Sequence, residues 1–176
     1  MLAKRLTVNF SVPTLFVANK KTLLDDAASE FRDGIKGISY DDIIQIKDGW
    51  FGDKKITSST TIDDIRPLRA PIIVATIQSL HARLEDPRTK PYLLDWLHNV
   101  CKFVMVDETQ AIGTKIWDEV LNECFAPYRI FLSATPRRTD GATIKLTAAS
   151  GPLLFTTTAS EQIEKGRLCE LNIVYK

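Results

Sequence analysis

The chain has 176 residues, 44% hydrophobic and 26% charged, with a formal net charge of +1. Those proportions are those of an ordinary globular protein long enough to bury a sizeable core. They exclude a disordered or fibrous chain, and the near-zero charge leaves any nucleic-acid binding to local patches rather than to a global field. Cys101, Cys124 and Cys169 form no C-x-x-C pair and suggest neither a zinc site nor a disulfide frame, so reduced thiols are expected. No apolar run approaches the ~20 residues of a membrane span. Met1 to Leu6 lacks a signal-peptide core, which makes the cytoplasm the expected compartment.

The predicted elements follow in chain order. Thr14 to Ala18 reads as a buried strand. Lys21 to Asp33 reads as a helix, with Leu23, Leu24, Ala27, Ala28 and Phe31 as its apolar face and Gly34 as its stop. Ile43 to Ile46 is a short strand leading into Asp48-Gly49, a turn signal. From Gly52 to Arg69 the composition is polar, with Lys54-Lys55, Arg66, Arg69 and a Ser/Thr cluster, and an exposed excursion is expected over about 52–70. Ile72 to Ala75 is the next buried strand, followed by helices at Ile77 to Leu84 and Tyr92 to Leu97.

Phe103-Val104-Met105-Val106 is a buried strand running straight into Asp107-Glu108-Thr109-Gln110. A helix follows near Lys115 to Cys124, its stripe read as Ile116, Val120, Leu121 and Cys124. Ile130 to Leu132 is a buried strand running into Ser133-Ala134-Thr135-Pro136. Leu153-Leu154-Phe155 starts another strand, and Leu171 to Tyr175 is a last one. Between them, Thr158 to Glu161 fits a capping box before a short helix. Continuous apolar strands alternating with helices predict an α/β domain, its mainly parallel sheet covered on both faces, over residues 1–176.

Ligands of such sheets bind beyond the carboxyl ends of the strands, where both polar clusters fall. One carboxylate of Asp107-Glu108 can hold a magnesium ion through water, and the other can orient an attacking water. An acidic pair opening a helix is the structural alternative. Ser133 and Thr135 offer two hydroxyls to a neighbouring carboxylate, or else mark a plain turn before Pro136. No Gly-Lys-Ser or Gly-Lys-Thr triplet occurs, so the usual phosphate-binding loop is missing from these residues.

The clusters together resemble superfamily 2 helicases of the DEAD/DEAH group. Asp107-Glu108 resembles motif II, Ser133-Ala134-Thr135 motif III, Ile73 to Leu80 motif Ib, and Pro13 to Lys20 motif Ia. Ala149 to Gly166 is similar to the end of the first lobe in phage and bacterial members. The resemblance implies a RecA-like, P-loop NTPase-like lobe in which Asp107 serves the magnesium and Glu108 the hydrolytic water. It implies that Gln110, Ser133 and Thr135 couple nucleotide state to movement. It implies that Ala18, Asn19, Lys20, Thr76 and Gln78 contact the phosphates of one strand. The structural alternative for Thr76 and Gln78 is helix capping. Arg137-Arg138 is a basic pair for nucleic acid or a facing lobe, or else a solvated pair. ATP and Mg2+ are the implied cofactors of a complete parent. Single- or double-stranded DNA, with RNA possible, and a second lobe are its implied partners.

Met1 to Leu6 is similar to the helix that follows the phosphate-binding loop, so an N-terminally truncated lobe with an exposed sheet edge is expected, inactive alone. A non-catalytic nucleic-acid-binding or regulatory module derived from such a lobe is the second reading, and an unrelated α/β domain the third. His81 and His98 have no ligand-like spacing, and Trp50, Trp96 and Trp117 read as packing residues.

Overall fold

The computed structural model describes residues 12–107, 114–133 and 143–167. Five strands form one parallel sheet: β1 (Thr14–Ala18), β2 (Ile43–Ile46), β5 (Ile72–Thr76), β6 (Phe103–Val106) and β7 (Tyr128–Phe131). Their order is β2-β5-β1-β6-β7. β3 (Trp50–Phe51) and β4 (Lys54–Lys55) form a separate antiparallel hairpin. The helices are α1 (Lys21–Gly34), α2 (Ile77–Glu85), α3 (Lys90–Asp95), α4 (Lys115–Asn122), α5 (Thr143–Ser150) and α6 (Ala159–Glu164).

Every residue of β1, β5 and β6 is buried, as a sheet covered on both faces requires. Side chains alternate between two cores. Phe16, Ala18, Ile72, Val74, Phe103 and Met105 pack with Leu24, Ala28 and Phe31 of α1. Leu15, Val17, Ile73, Ala75, Val104 and Val106 pack on the opposite face with residues of α2, α3 and α4. Each fully buried aliphatic or aromatic side chain contributes about 1.5–3 kcal/mol in transfer free energy. Ile35 closes α1 by donating its N–H to Phe31 O at 3.0 Å, directly after Gly34.

Several expectations change. β7 is only half-buried, because it lies at the end of the described sheet and pairs there with β6. Ile116 is exposed, and Trp117 takes its place in the core with Val120, Leu121 and Cys124. The buried positions 117, 120, 121 and 124 keep helical spacing, and Trp117 in place of Ile116 is the one change from the predicted stripe. Leu153, Leu154 and Phe155 form no strand and are 57%, 86% and 77% exposed. The α3 helix continues as a π-type turn over Trp96–Val100, closed by Cys101 N–H to Trp96 O at 2.8 Å. Thr158 and Glu161 cap α6 reciprocally, as expected. Leu171 to Tyr175 and the segment from Met1 to Leu6 lie outside the described residues.

The polar excursion has its own architecture. Asp48 and Gly49 adopt left-handed conformations, with φ of 51° and 84°, in a turn closed by Trp50 N–H to Lys47 O at 2.8 Å. Phe51, Ile65, Leu68 and Ala70 are buried beneath its polar surface. Arg88 holds it from outside, donating through Nη1 to Thr57 O at 2.8 Å and Thr60 O at 2.7 Å. The indole Nε1 of Trp96 donates to Ala70 O at 3.2 Å from below.

Candidate functional site

Parallel register lines up the carboxyl ends of the strands. Ala18 pairs with Thr76, and Val17 with Val106. Asp107 therefore falls beside Ala18, and its N–H continues the ladder to Val17 O at 2.9 Å. Leu132 donates to Val106 O at 2.8 Å, so Ser133 stands one residue beyond the level of Asp107 on the next strand. At the usual spacing of about 4.8 Å between strands, Thr76 and Asp107 lie about 10 Å apart along this edge.

Thr76 ends β5 and also caps α2. Its Oγ1 accepts the Ser79 N–H at 3.2 Å and donates to Ser79 Oγ at 2.8 Å. Because β1 and β5 are neighbours, Asn19 emerges alongside it. A cleft of about 380 Å³ opens there, lined by Asn19, Lys21, Asp48, Trp50, Thr76, Gln78, Ser79 and Arg83. Lys21 pairs with Asp48 at the rim. Of the residues expected to touch nucleic acid, Asn19, Thr76 and Gln78 come together here. Ala18 is fully buried in the sheet, and Lys20 is exposed outside the cleft lining.

Arg83 and Lys21 were not singled out from the sequence. Arg83 lies on the face of α2 that starts at Thr76, and the spacing Thr76, Ser79, Arg83 was the available signal. Among the described residues its Nη1 is buried with no hydrogen-bond partner. Its ion-pair contact with Asp86 Oδ2 is long, at 3.9 Å, and the same oxygen accepts from Arg88 Nη2 at 2.7 Å. Burial lowers the Arg83 pKa, Asp86 opposes that shift, and Arg88 adds to it. The guanidinium hydrogen bonds from Arg88 hold the Asp86 carboxyl at about 2.

Asp107 is half-buried at the edge, and Ser133 is described beside it. Glu108, Gln110, Thr135, Arg137 and Arg138 lie outside the described residues. Among the described residues no group of three His, Cys, Asp or Glu side chains gathers to hold a metal. A single carboxylate still fits magnesium, which keeps most of its water and takes substrate oxygens for the rest. His81 and His98 serve as helix ties, to Glu119 at 2.6 Å and Glu123 at 3.1 Å. Among the described residues no helix is long and apolar enough to cross a membrane.

Residues 1–138 match the family model described as type III restriction enzyme, res subunit. The chain belongs to this family. Its fold is similar to that of the Pyrococcus furiosus Hef helicase domain, with a TM-score of 0.58 at 19% identity over 86% of this chain and 30% of that one. It is also similar to the UvsW helicase from bacteriophage T4, with a TM-score of 0.54 at 21% identity over 85% of this chain and 46% of that one. At such identities the likeness is one of fold, and the chain spans less than half of either solved structure. No curated protein matches it by sequence. Family and sheet together give this chain the RecA-like fold of a superfamily 2 helicase first lobe.

Proposed function

We propose that the chain is the strand-holding part of an ATP-dependent nucleic-acid motor of its family, gripping the phosphates of one strand between β1 and β5. The observation that carries this reading is the cleft itself. Asn19, distant in sequence from Thr76 and Gln78, meets them there beside Arg83, whose Nη1 is buried with no hydrogen-bond partner among the described residues. A cation and amide or hydroxyl donors suit a phosphate oxygen, and such contacts position a strand without reading its bases. Lys20, Arg137 and Arg138 are assigned auxiliary backbone contacts, and Ala18 a contact through its main chain only. DNA as the polymer rests on the helicase resemblance.

In the same reading Asp107 would hold magnesium through water, and Glu108 would orient the attacking water. Gln110, Ser133 and Thr135 relay the nucleotide state to the strand cleft. ATP with magnesium, when bound, would supply the phosphoryl-transfer chemistry. The 176 residues hold no Gly-Lys-Ser or Gly-Lys-Thr. That favours, for this chain by itself, a nucleic-acid-binding or regulatory role without catalysis.

Titrating a labelled single strand at two salt concentrations tests the grip. Binding that weakens steeply with salt is expected, and no detectable binding at low salt rejects it. Hydrolysis is tested on the same protein. Little ATP turnover is expected, and brisk turnover abolished by Asp107→Ala would establish a complete catalytic site instead.

A further inference from the structure

A second, larger groove of about 840 Å³ adjoins the strand cleft, running along β2 and the segment at 66–71. Trp50 lines both hollows. It is 42% exposed, whereas Trp96 and Trp117, the other two tryptophans, are 0% and 2% exposed. The backbone holding it is fixed on both sides: Trp50 donates its N–H to Lys47 O at 2.8 Å, and Ile56 donates to Gly49 O at 2.9 Å. The next residue, Phe51, is buried at 2% exposure and anchors the hairpin from below. An exposed indole on a braced hairpin costs little conformational entropy when something flat settles on it.

The charges of the larger groove set what that flat group is. Lys47, Arg66 and Arg69 line it, but so do Asp41, Asp42 and Asp53, so the cations and carboxylates balance. Its surface is otherwise largely apolar, with Leu68 and Phe51 among its lining. A phosphate has no reason to prefer such a groove to the neighbouring cleft with Arg83. A neutral, planar base does, because every base presents a π-face to an aromatic ring.

We propose that Trp50 is a stacking platform for an unpaired base of the strand whose phosphates occupy the adjoining cleft, the larger groove receiving the bases beyond it. This rests on the phosphate reading given above. It adds that the chain takes single strands, not duplexes, over the excursion, since a paired base is unavailable for stacking on a side chain.

Because Trp50 is the exposed tryptophan of the three, quenching by a bound strand reports on it over the emission of the buried Trp96 and Trp117. Oligothymidylate and an abasic strand of equal length carry the same phosphates and differ in bases. Oligothymidylate is expected to quench the fluorescence and to bind about 5- to 100-fold more tightly than the abasic strand. Trp50→Ala removes that preference, read as the ratio of the two affinities, while Trp50→Phe, which keeps a ring, restores part of it. Arg83→Ala weakens both strands alike. Far-ultraviolet circular dichroism of each variant verifies that the fold is kept. A Trp50→Ala protein that still prefers oligothymidylate, or saturation without quenching, overturns the stacking role. Failure of the phosphate reading looks different: the abasic strand is not bound at all, or Arg83→Ala changes neither affinity. If the wild-type chain binds neither strand, both ideas fall together.

Discussion

Arg83 sits beside a carboxylate already committed to another arginine. Among the described residues its Nη1 is buried without a hydrogen-bond partner, an arrangement that costs free energy unless a further anion arrives. A phosphate in the cleft is that anion in the proposed reading. Replacing Arg83 with Ala is then expected to weaken single strands of every sequence about equally. It is also expected to lower the slope of log affinity against log salt by about one phosphate contact. An unchanged slope would mean that Arg83 touches no phosphate. The cysteines give a second residue-scale prediction. Cys101 and Cys124 are 1% and 0% exposed, with their sulfurs 4.0 Å apart. The neighbouring Cys124 sulfur and burial together push the Cys101 thiol well above the ordinary range. Neither thiol is expected to react with an aromatic disulfide reagent in the native protein, and both should react in denaturant. Rapid native labelling of either, located by peptide mapping, would contradict that burial.

At the scale of elements, Arg88 ties the α2–α3 turn to the excursion through Thr57, Thr60 and Asp86. The hydrogen bonds from Arg88 lower the Asp86 carboxyl from 3.8 to about 2. A depressed carboxylate stabilises the fold above its unfolded pKa, and the gain is lost as pH falls through the folded value. The window is therefore from about pH 4 down to about pH 2. Asp86→Asn is expected to show a shallower fall of urea midpoint across that window than the wild type, and equal slopes would dissolve the latch. Much of this layer was legible beforehand. The long apolar runs at Thr14, Ile72 and Phe103 predicted their strands, and the period of Leu24, Ala28 and Phe31 predicted α1. Leu153 to Phe155 misled because an apolar run with no pairing strand among the described residues carries the same letters as a paired one. The anchors Phe51, Ile65 and Leu68 have no period to betray them inside a polar stretch. The cleft was half legible: Asn19, Thr76 and Gln78 came from motif resemblance. Arg83 left only its helical spacing from Thr76 and Ser79 as a signal, and Trp50 enters through the left-handed turn at Asp48-Gly49; their meeting at one cleft is a tertiary fact.

At the scale of the whole described fold, three central strands join the two helical layers. β1, β5 and β6 send alternate residues to opposite faces, so Phe16 and Val74 pack under α1 while Val17 and Ala75 pack under α2 to α4. Neither helical layer can separate without uncovering strands that the other layer also needs. Leu24 belongs to the α1 face and is 0% exposed. Trp96 and Trp117, the buried tryptophans, both belong to the opposite face. Leu24→Ala is expected to cost about 2–5 kcal/mol through lost transfer energy and a residual cavity. If the layers are coupled, that loss appears in full on the far side of the sheet. Denaturant transitions followed by near-ultraviolet circular dichroism, which reads the buried indoles, and by far-ultraviolet circular dichroism, which reads the helices, should then shift together and stay coincident. A variant whose helical signal melts early while the indole signal keeps its wild-type midpoint would show that α1 is an independent layer. The phosphate cleft would then hang on a movable support, because α1 begins at Lys21, on the rim of that cleft.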